Sequence, residues 1–296
     1  MSILILREEY IHQRTDKSPG DVHRGAGFVD AHVHLNLNDE CCLDAIVEAG
    51  VVAVRDAGMR GNSMRGIHAM DRSDGLPRIL SARWALYRKG GYGSVFGTPV
   101  ETQEEIKSEI HKLKKAGADI IKIMSSGIVS LKEPGRVTAG GFNQDELQLI
   151  VNEAGTCGLS VMAHVNGEQA IINAAEAGVR SIEHGFFMSR RALDVMAKKA
   201  TFWVPTVGAL KRAAVSRNAS KDAKACISVL IRSHLEILRH AHEIGVLLAV
   251  GTDCVLPDAG YAEAYDAELA YFEQAGIPHD EVMKISCEGG ARLLGM

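Results

Sequence analysis

The sequence predicts an α/β protein built as a (β/α)8 TIM barrel. Eight short apolar, β-branched runs recur along the 296 residues, and clear amphipathic segments separate several of them. Neither GxGxxG nor GxxxxGK[ST] occurs, so the phosphate-cradling turn of many doubly wound sheets is missing. The runs are 27–35, 51–58, 78–86, 119–127, 160–167, 181–188, 202–209 and 247–254. The helical segments are 101–118, 142–158, 166–178 and roughly 221–244. Thr102 followed by Glu105 has the spacing of a capping box. Helices end in EAG, KAG, EAG and EIG, which places glycine just after the last turn.

Composition narrows the function classes. A hydrophobic content of 46% is ample for a large core. The net charge of −4 and 5% aromatic content, without a block of like charge, argue against nucleic acid as a partner. MSILILREEY is too short in apolar character for a signal peptide, and no run approaches a membrane span, so no membrane partner is expected. Six cysteines without a CxxC pair or disulfide-like framework point to a reducing cytoplasm. The expected division is a short N-terminal extension, 1–26, and a barrel over 27–296.

Chemistry in such barrels gathers at the C-terminal ends of the strands. There the sequence places His32 and His34, Lys122, His164, His184 and Asp253, on five different strands. His32 and His34 are two apart and share a face. Lys122 stands inside GADIIKIMSSG; Ile121 and Ile123 share one face and Ile120, Lys122 and Met124 the other. With the isoleucines packed on helices, Lys122 points inward. A lysine there needs its charge compensated. Asp30 is expected on the face of His32 as a buried supporting carboxylate. The remaining histidines, His234 among them, read as surface or helix residues, and Cys254 as a small buried hydrophobe.

Together these segments resemble the amidohydrolase superfamily. DAHVHL, IKIMSSG, MAHVNG, SIEHGFF and VGTDC occur in the order and on the strands that family uses, from about Gly27 to Leu294. VRDAG, KIMSSG, AHVNG, SIEHG and GTD look most like the prolidase-like and acyl-amino-acid hydrolases. The resemblance implies two divalent metal ions, zinc above all. It assigns His32, His34 and Asp253 to the first ion, His164 and His184 to the second, and a carboxylated Lys122 to both. It also implies amide hydrolysis by a metal-bridging hydroxide, with Asp253 as general base and acid. The substrate would be a dipeptide-like or N-acyl amino acid small molecule. A lactonase or phosphotriesterase using the same metals is the alternative. Lys122 argues against a heterocycle deaminase, and the histidines go unexplained in a Schiff-base aldolase.

Most relatives also carry a small β-sandwich formed by residues on both sides of the barrel. With 26 residues before the first strand and an end at ARLLGM, the expectation is a barrel lacking most or all of it. The surface this exposes is one that a homo-oligomer contact would cover. In the substrate pocket, Tyr92 stands where many relatives have histidine and could bond the substrate carbonyl. The long loop 127–142 could form a lid, with Lys132 or Arg136 binding a substrate carboxylate.

Overall fold

In the computed structural model the described residues are 27–35, 41–60, 76–130, 133, 135–215, 220–256 and 260–296. The N-terminal extension and Lys132 lie outside them. The elements run β1 (Phe28–Leu35), α1 (Cys41–Glu48), β2 (Val51–Asp56), β3 (Arg78–Ser81), β4 (Ala85–Arg88), β5 (Gly97–Val100), α2 (Gln103–Lys115) and β6 (Ile120–Met124). There follow α3 (Gln144–Thr156), β7 (Ser160–Val165), α4 (Glu168–Ala177), β8 (Ser181–His184), α5 (Arg190–Lys199), β9 (Phe202–Val204) and α6 (Val207–Val215). The chain closes with α7 (Lys221–Glu243), β10 (Cys254–Leu256), α8 (Tyr261–Gln274), α9 (His279–Lys284), a π-turn (Ile285–Gly289) and α10 (Gly290–Leu294).

Two parallel ladders, β10-β1-β2-β3 and β5-β4-β6-β7-β8-β9, join into one ring. Asp119 N–H donates to the Ser81 carbonyl at 2.9 Å, linking β3 to the start of β6. Trp203 N–H donates to Leu247 O at 2.8 Å, and Ala31 N–H to Val250 O at 2.8 Å, so segment 247–250 bridges β9 and β1. The ring is therefore the predicted barrel.

The predicted run 181–188 is a strand only to His184, and three other predicted strands differ further from the observed ones. The run 78–86 is broken into β3 and β4 around Arg83, whose φ is 65°. β3 pairs with β2 and β4 with β6. The run 202–209 stops after Val204, because Pro205 has no N–H and Thr206 takes φ 48°. The run 247–254 is regular only from Cys254 onward; before it lie single hydrogen bonds and one bridge, Trp203 to Leu248. β5, not predicted, adds to the outside of β4 and tolerates Pro99 as an edge strand does. Among the described residues there is no β-sandwich.

Local chemistry explains the helices. Thr102 and Glu105 form the predicted capping box on α2, and Asn143 and Glu146 form a second on α3. The glycines after four helices, Gly50, Gly117, Gly178 and Gly245, all have positive φ, 70° to 91°. Ile121 and Ile123 of β6 pack outward with Ile106 and Ile110 of α2 and Ile150 of α3. The barrel floor is a separate apolar layer of Val29, Ala31, Ala53, Phe202 and Val204, joined by Leu293 and Leu294 of α10.

Candidate active site

β1 carries a kink that the alternation rule does not foresee. Asp30 pairs with Val54 and Val33 with Asp56, so three steps on β1 match two on β2. Val29 and Ala31 thus belong to the barrel floor, while His32 and His34 line the cavity above it. Asp30 is not on the face of His32, contrary to expectation. Its carboxylate accepts from Thr252 N–H at 3.0 Å, Thr252 Oγ1 at 2.7 Å and Tyr261 Oη of α8 at 3.1 Å. It ties the chain just before Asp253 to β1. Burial, partly offset by these donors, raises its pKa to about 6.

The cavity, about 250 Å³, contains all six predicted ligand residues and Tyr92 in its lining. His32 Nε2 lies 3.3 Å and His34 Nε2 3.4 Å from Asp253 Oδ1. Ligand atoms of these three residues lie within 4.8 Å of one another. The other ring nitrogens decide the chemistry. His34 Nδ1 is 2.7 Å from the Gly58 carbonyl, an acceptor, so Nδ1 carries the proton. His32 Nδ1 is 2.8 Å from Glu183 Oε2, again an acceptor. With Nδ1 engaged in this way, both rings turn Nε2 toward the Asp253 carboxylate, and His32, which burial keeps neutral, presents a lone pair there. His32 Nε2 is buried and has no hydrogen-bond partner. An unpartnered His32 lone pair, His34 Nε2 and the Asp253 anion converge in one corner, and two imidazole nitrogens with a carboxylate are a donor set that fits a metal ion.

A protonated His32 would satisfy the corner otherwise, but burial opposes that. Burial and then Lys122 lower His32 to about 4 and His164 to about 3, and His184 falls well below its ordinary value for the same leading reason. Burial raises Asp253, and only in their protonated forms would the surrounding imidazoles hold it well below the usual carboxylate range.

His164 and His184 stand beside this corner, with ring centroids 4.6 Å apart and His184 5.1 Å from His32. His184 Nδ1 is 2.7 Å from Thr206 Oγ1, and His164 Nε2 is 3.1 Å from the Gly127 carbonyl. His184, Asp253 and Thr206 all take left-handed φ, 66°, 54° and 48°. Each costs of order 1 kcal/mol and marks a site that the surrounding structure over-determines. Lys122 is 1% exposed, and among the described residues no carboxylate forms an ion pair with it. Burial lowers its pKa to about 8, against the opposing pull of Glu183 and Asp253.

Beneath the histidines lies a polar layer that motif reading missed. Arg55 of β2 crosses the interior, donating to Ala31 O at 2.7 Å, Ser181 Oγ at 2.8 Å and Glu183 Oε1 at 2.8 Å. Burial would raise Glu183, but Arg55 and His32 hold it at about 2. VRDAG and SIEHG contain both residues; two charged residues in otherwise apolar runs were the available signal.

Tyr92 lies against His164, ring centroids 5.1 Å apart, and burial and then Asp253 raise its hydroxyl to about 12, so it stays protonated. Arg136 does not reach the cavity: its side chain is exposed and pairs with Glu133 at 3.4 Å. Loop 127–142 folds onto itself through a bridge between Val129 and Val137, which turns Arg136 away and gives Ile128 and Val129 to the cavity wall. His234, expected as an ordinary surface or helix residue, is buried against Trp203 and Phe186.

A sequence profile of the amidohydrolase family matches residues 26–296. The chain belongs to this family. Among curated proteins of known activity this amidohydrolase is 28% identical to ochratoxinase of Aspergillus niger over 235 residues, covering 70% of this chain and 48% of that one. The chain thus spans about half the length of that relative. An uncharacterized protein of Mycobacterium tuberculosis is 26% identical over 284 residues, 91% of this chain and 74% of that one. Among solved structures, a Xaa-Pro dipeptidase with methionine bound in its active site superposes with TM-score 0.77 at 25% identity, covering 91% of this chain and 75% of that one.

Proposed function

We propose that this amidohydrolase is a binuclear metal-dependent enzyme that hydrolyses the amide bond of a dipeptide-like or N-acyl amino acid substrate. The observation that carries the reading is the pair of imidazole Nε2 atoms facing Asp253 Oδ1 at 3.3 and 3.4 Å, with both Nδ1 atoms committed to other acceptors. His32, His34 and Asp253 would hold one ion, His164 and His184 the other, and Lys122, as its carbamate, would serve both. Zinc suits this nitrogen and carboxylate set. When bound, the ions would supply Lewis acidity toward water and the scissile carbonyl.

The residues of the chain divide the remaining work. Lys122, with a pKa near 8, presents a useful fraction of neutral amine at physiological pH, the form that adds to carbon dioxide. Asp253 takes a proton from the attacking water and returns it to the leaving amine. Tyr92 Oη, protonated throughout the physiological range, offers a hydrogen bond to the carbonyl oxygen. The ochratoxinase and dipeptidase relatives support an amide substrate.

Metal analysis of the purified chain tests the reading, together with a panel of dipeptides, N-acyl amino acids and lactones. Two divalent ions per chain and turnover of amides are expected, with both lost in Lys122→Met. A metal-free chain would overturn the reading, and turnover of lactones alone would move it to an ester bond.

A further inference from the structure

One wall of the cavity contains no ionisable group among the described residues. It is built by Phe186 after β8, Leu210 and Ala213 of α6, Ile227 of α7 and Val129 of the hairpin. Leu210 and Ile227 are 3% and 1% exposed, held by the packing of α6 on α7. Apart from Tyr92, which lies against His164, the titratable groups lining the cavity are the six candidate ligand residues. Asn166, which also lines the cavity, has its amide committed elsewhere. Nδ2 donates to Gly127 O at 3.1 Å, and Oδ1 accepts from Phe186 N–H at 3.0 Å. His234 lies behind Phe186, its Nε2 3.3 Å from Pro205 O.

The wall also adjoins the reactive centre. The Phe186 ring is 5.7 Å from that of His184, centroid to centroid. A group seated on Phe186 therefore lies beside His184, one of the candidate metal ligands. A charged or amide side chain there would give up its hydration without a partner. An apolar one gains in proportion to the area it buries. The cavity, about 250 Å³, has room for one such side chain and the amide beside it.

We propose that Phe186, Leu210, Ala213 and Ile227 form a specificity subsite for an apolar side chain flanking the scissile amide, so that the substrates are dipeptides or N-acyl amino acids of the leucine, methionine or phenylalanine type. The proposal rests on the hydrolase reading for what the neighbouring centre does, but not for what the wall binds.

Binding of three near-isosteric amide probes to the full chain tests it: N-acetyl-L-leucinamide, N-acetyl-L-asparaginamide and the α-amide of N-acetyl-L-aspartate, followed by ligand-observed NMR and calorimetry. The leucinamide should bind at least about tenfold more tightly than either polar isostere. Ala213→Glu, at a half-buried position, should remove most of that advantage with the circular dichroism unchanged, and Leu210→Asn should do the same. Equal affinities, preference for a polar isostere, undetectable leucinamide binding, or folded variants that keep the preference would each overturn the proposal. Amide cleavage is followed in the same samples. Its absence would count against the hydrolase reading and leave the binding comparison intact.

Discussion

His32 and Glu183 are joined across the barrel interior by a 2.8 Å hydrogen bond from Nδ1 to Oε2, although 151 residues separate them. The bond fixes which nitrogen of His32 faces Asp253. Arg55 holds the other oxygen of Glu183 at 2.8 Å and balances its charge. The carboxylate thus orients a metal-ligand candidate while being neutralised from the opposite side.

Glu183→Ala should leave Arg55 as a buried charge without its counter-ion. The expected loss is about 3–5 kcal/mol, read from urea unfolding. Glu183→Gln keeps the shape, and its apparent zinc affinity, measured by chelator competition, should fall about 10–100-fold. Wild-type affinity in the folded Gln variant would show that Glu183 does not orient His32.

Thr206 plays the corresponding part for His184, 2.7 Å from its Nδ1. Thr206→Val keeps the branched shape and removes the hydroxyl. About a tenfold loss of metal affinity is expected, restored by Thr206→Ser. If Val and Ser variants bind metal equally, the hydroxyl has no role in holding the ring.

Tyr92→Phe should lower kcat/KM for a cleaved amide by about tenfold or more while the chain stays folded, since one hydrogen bond to the carbonyl is removed. The Tyr92 hydroxyl is raised to about 12, so the pH profile of the variant between pH 6 and 10 should keep the wild-type shape. Unchanged kcat/KM would reduce Tyr92 to a packing residue.

His234 predicts a stability change with pH. Burial lowers its pKa from 6.5 to about 4, offset only in part by the Pro205 carbonyl. Below pH 6.5 the unfolded chain takes up a proton that the folded chain refuses. The stability tied to neutral His234 is therefore full above pH 6.5 and lost as pH falls toward 4. The loss is about 2 kcal/mol by pH 5. Urea titrations at pH 7 and pH 5 should show this fall in the wild type, reduced by that amount in His234→Gln. Equal pH dependence in the two would mean that His234 is charged or solvated in the fold.

The sequence by itself determined the barrel, the inward course of Lys122 and the set of strand-end residues. Each follows from a local rule. Apolar runs mark strands, alternation separates Ile121 and Ile123 from Lys122, and titratable groups at strand ends have few structural uses. Only the tertiary structure decided which residues serve them. The extra residue on β1 put Asp30 and His32 on opposite faces, and a period of two cannot show a bulge. Arg55 and Glu183 lie on β2 and β8, and their meeting depends on how the ring closes. Arg136 turned outward because its own loop pairs with itself through Val129 and Val137. Alternation along a strand is set by neighbouring residues, whereas a buried charge is satisfied by whichever partner the closed barrel brings to it.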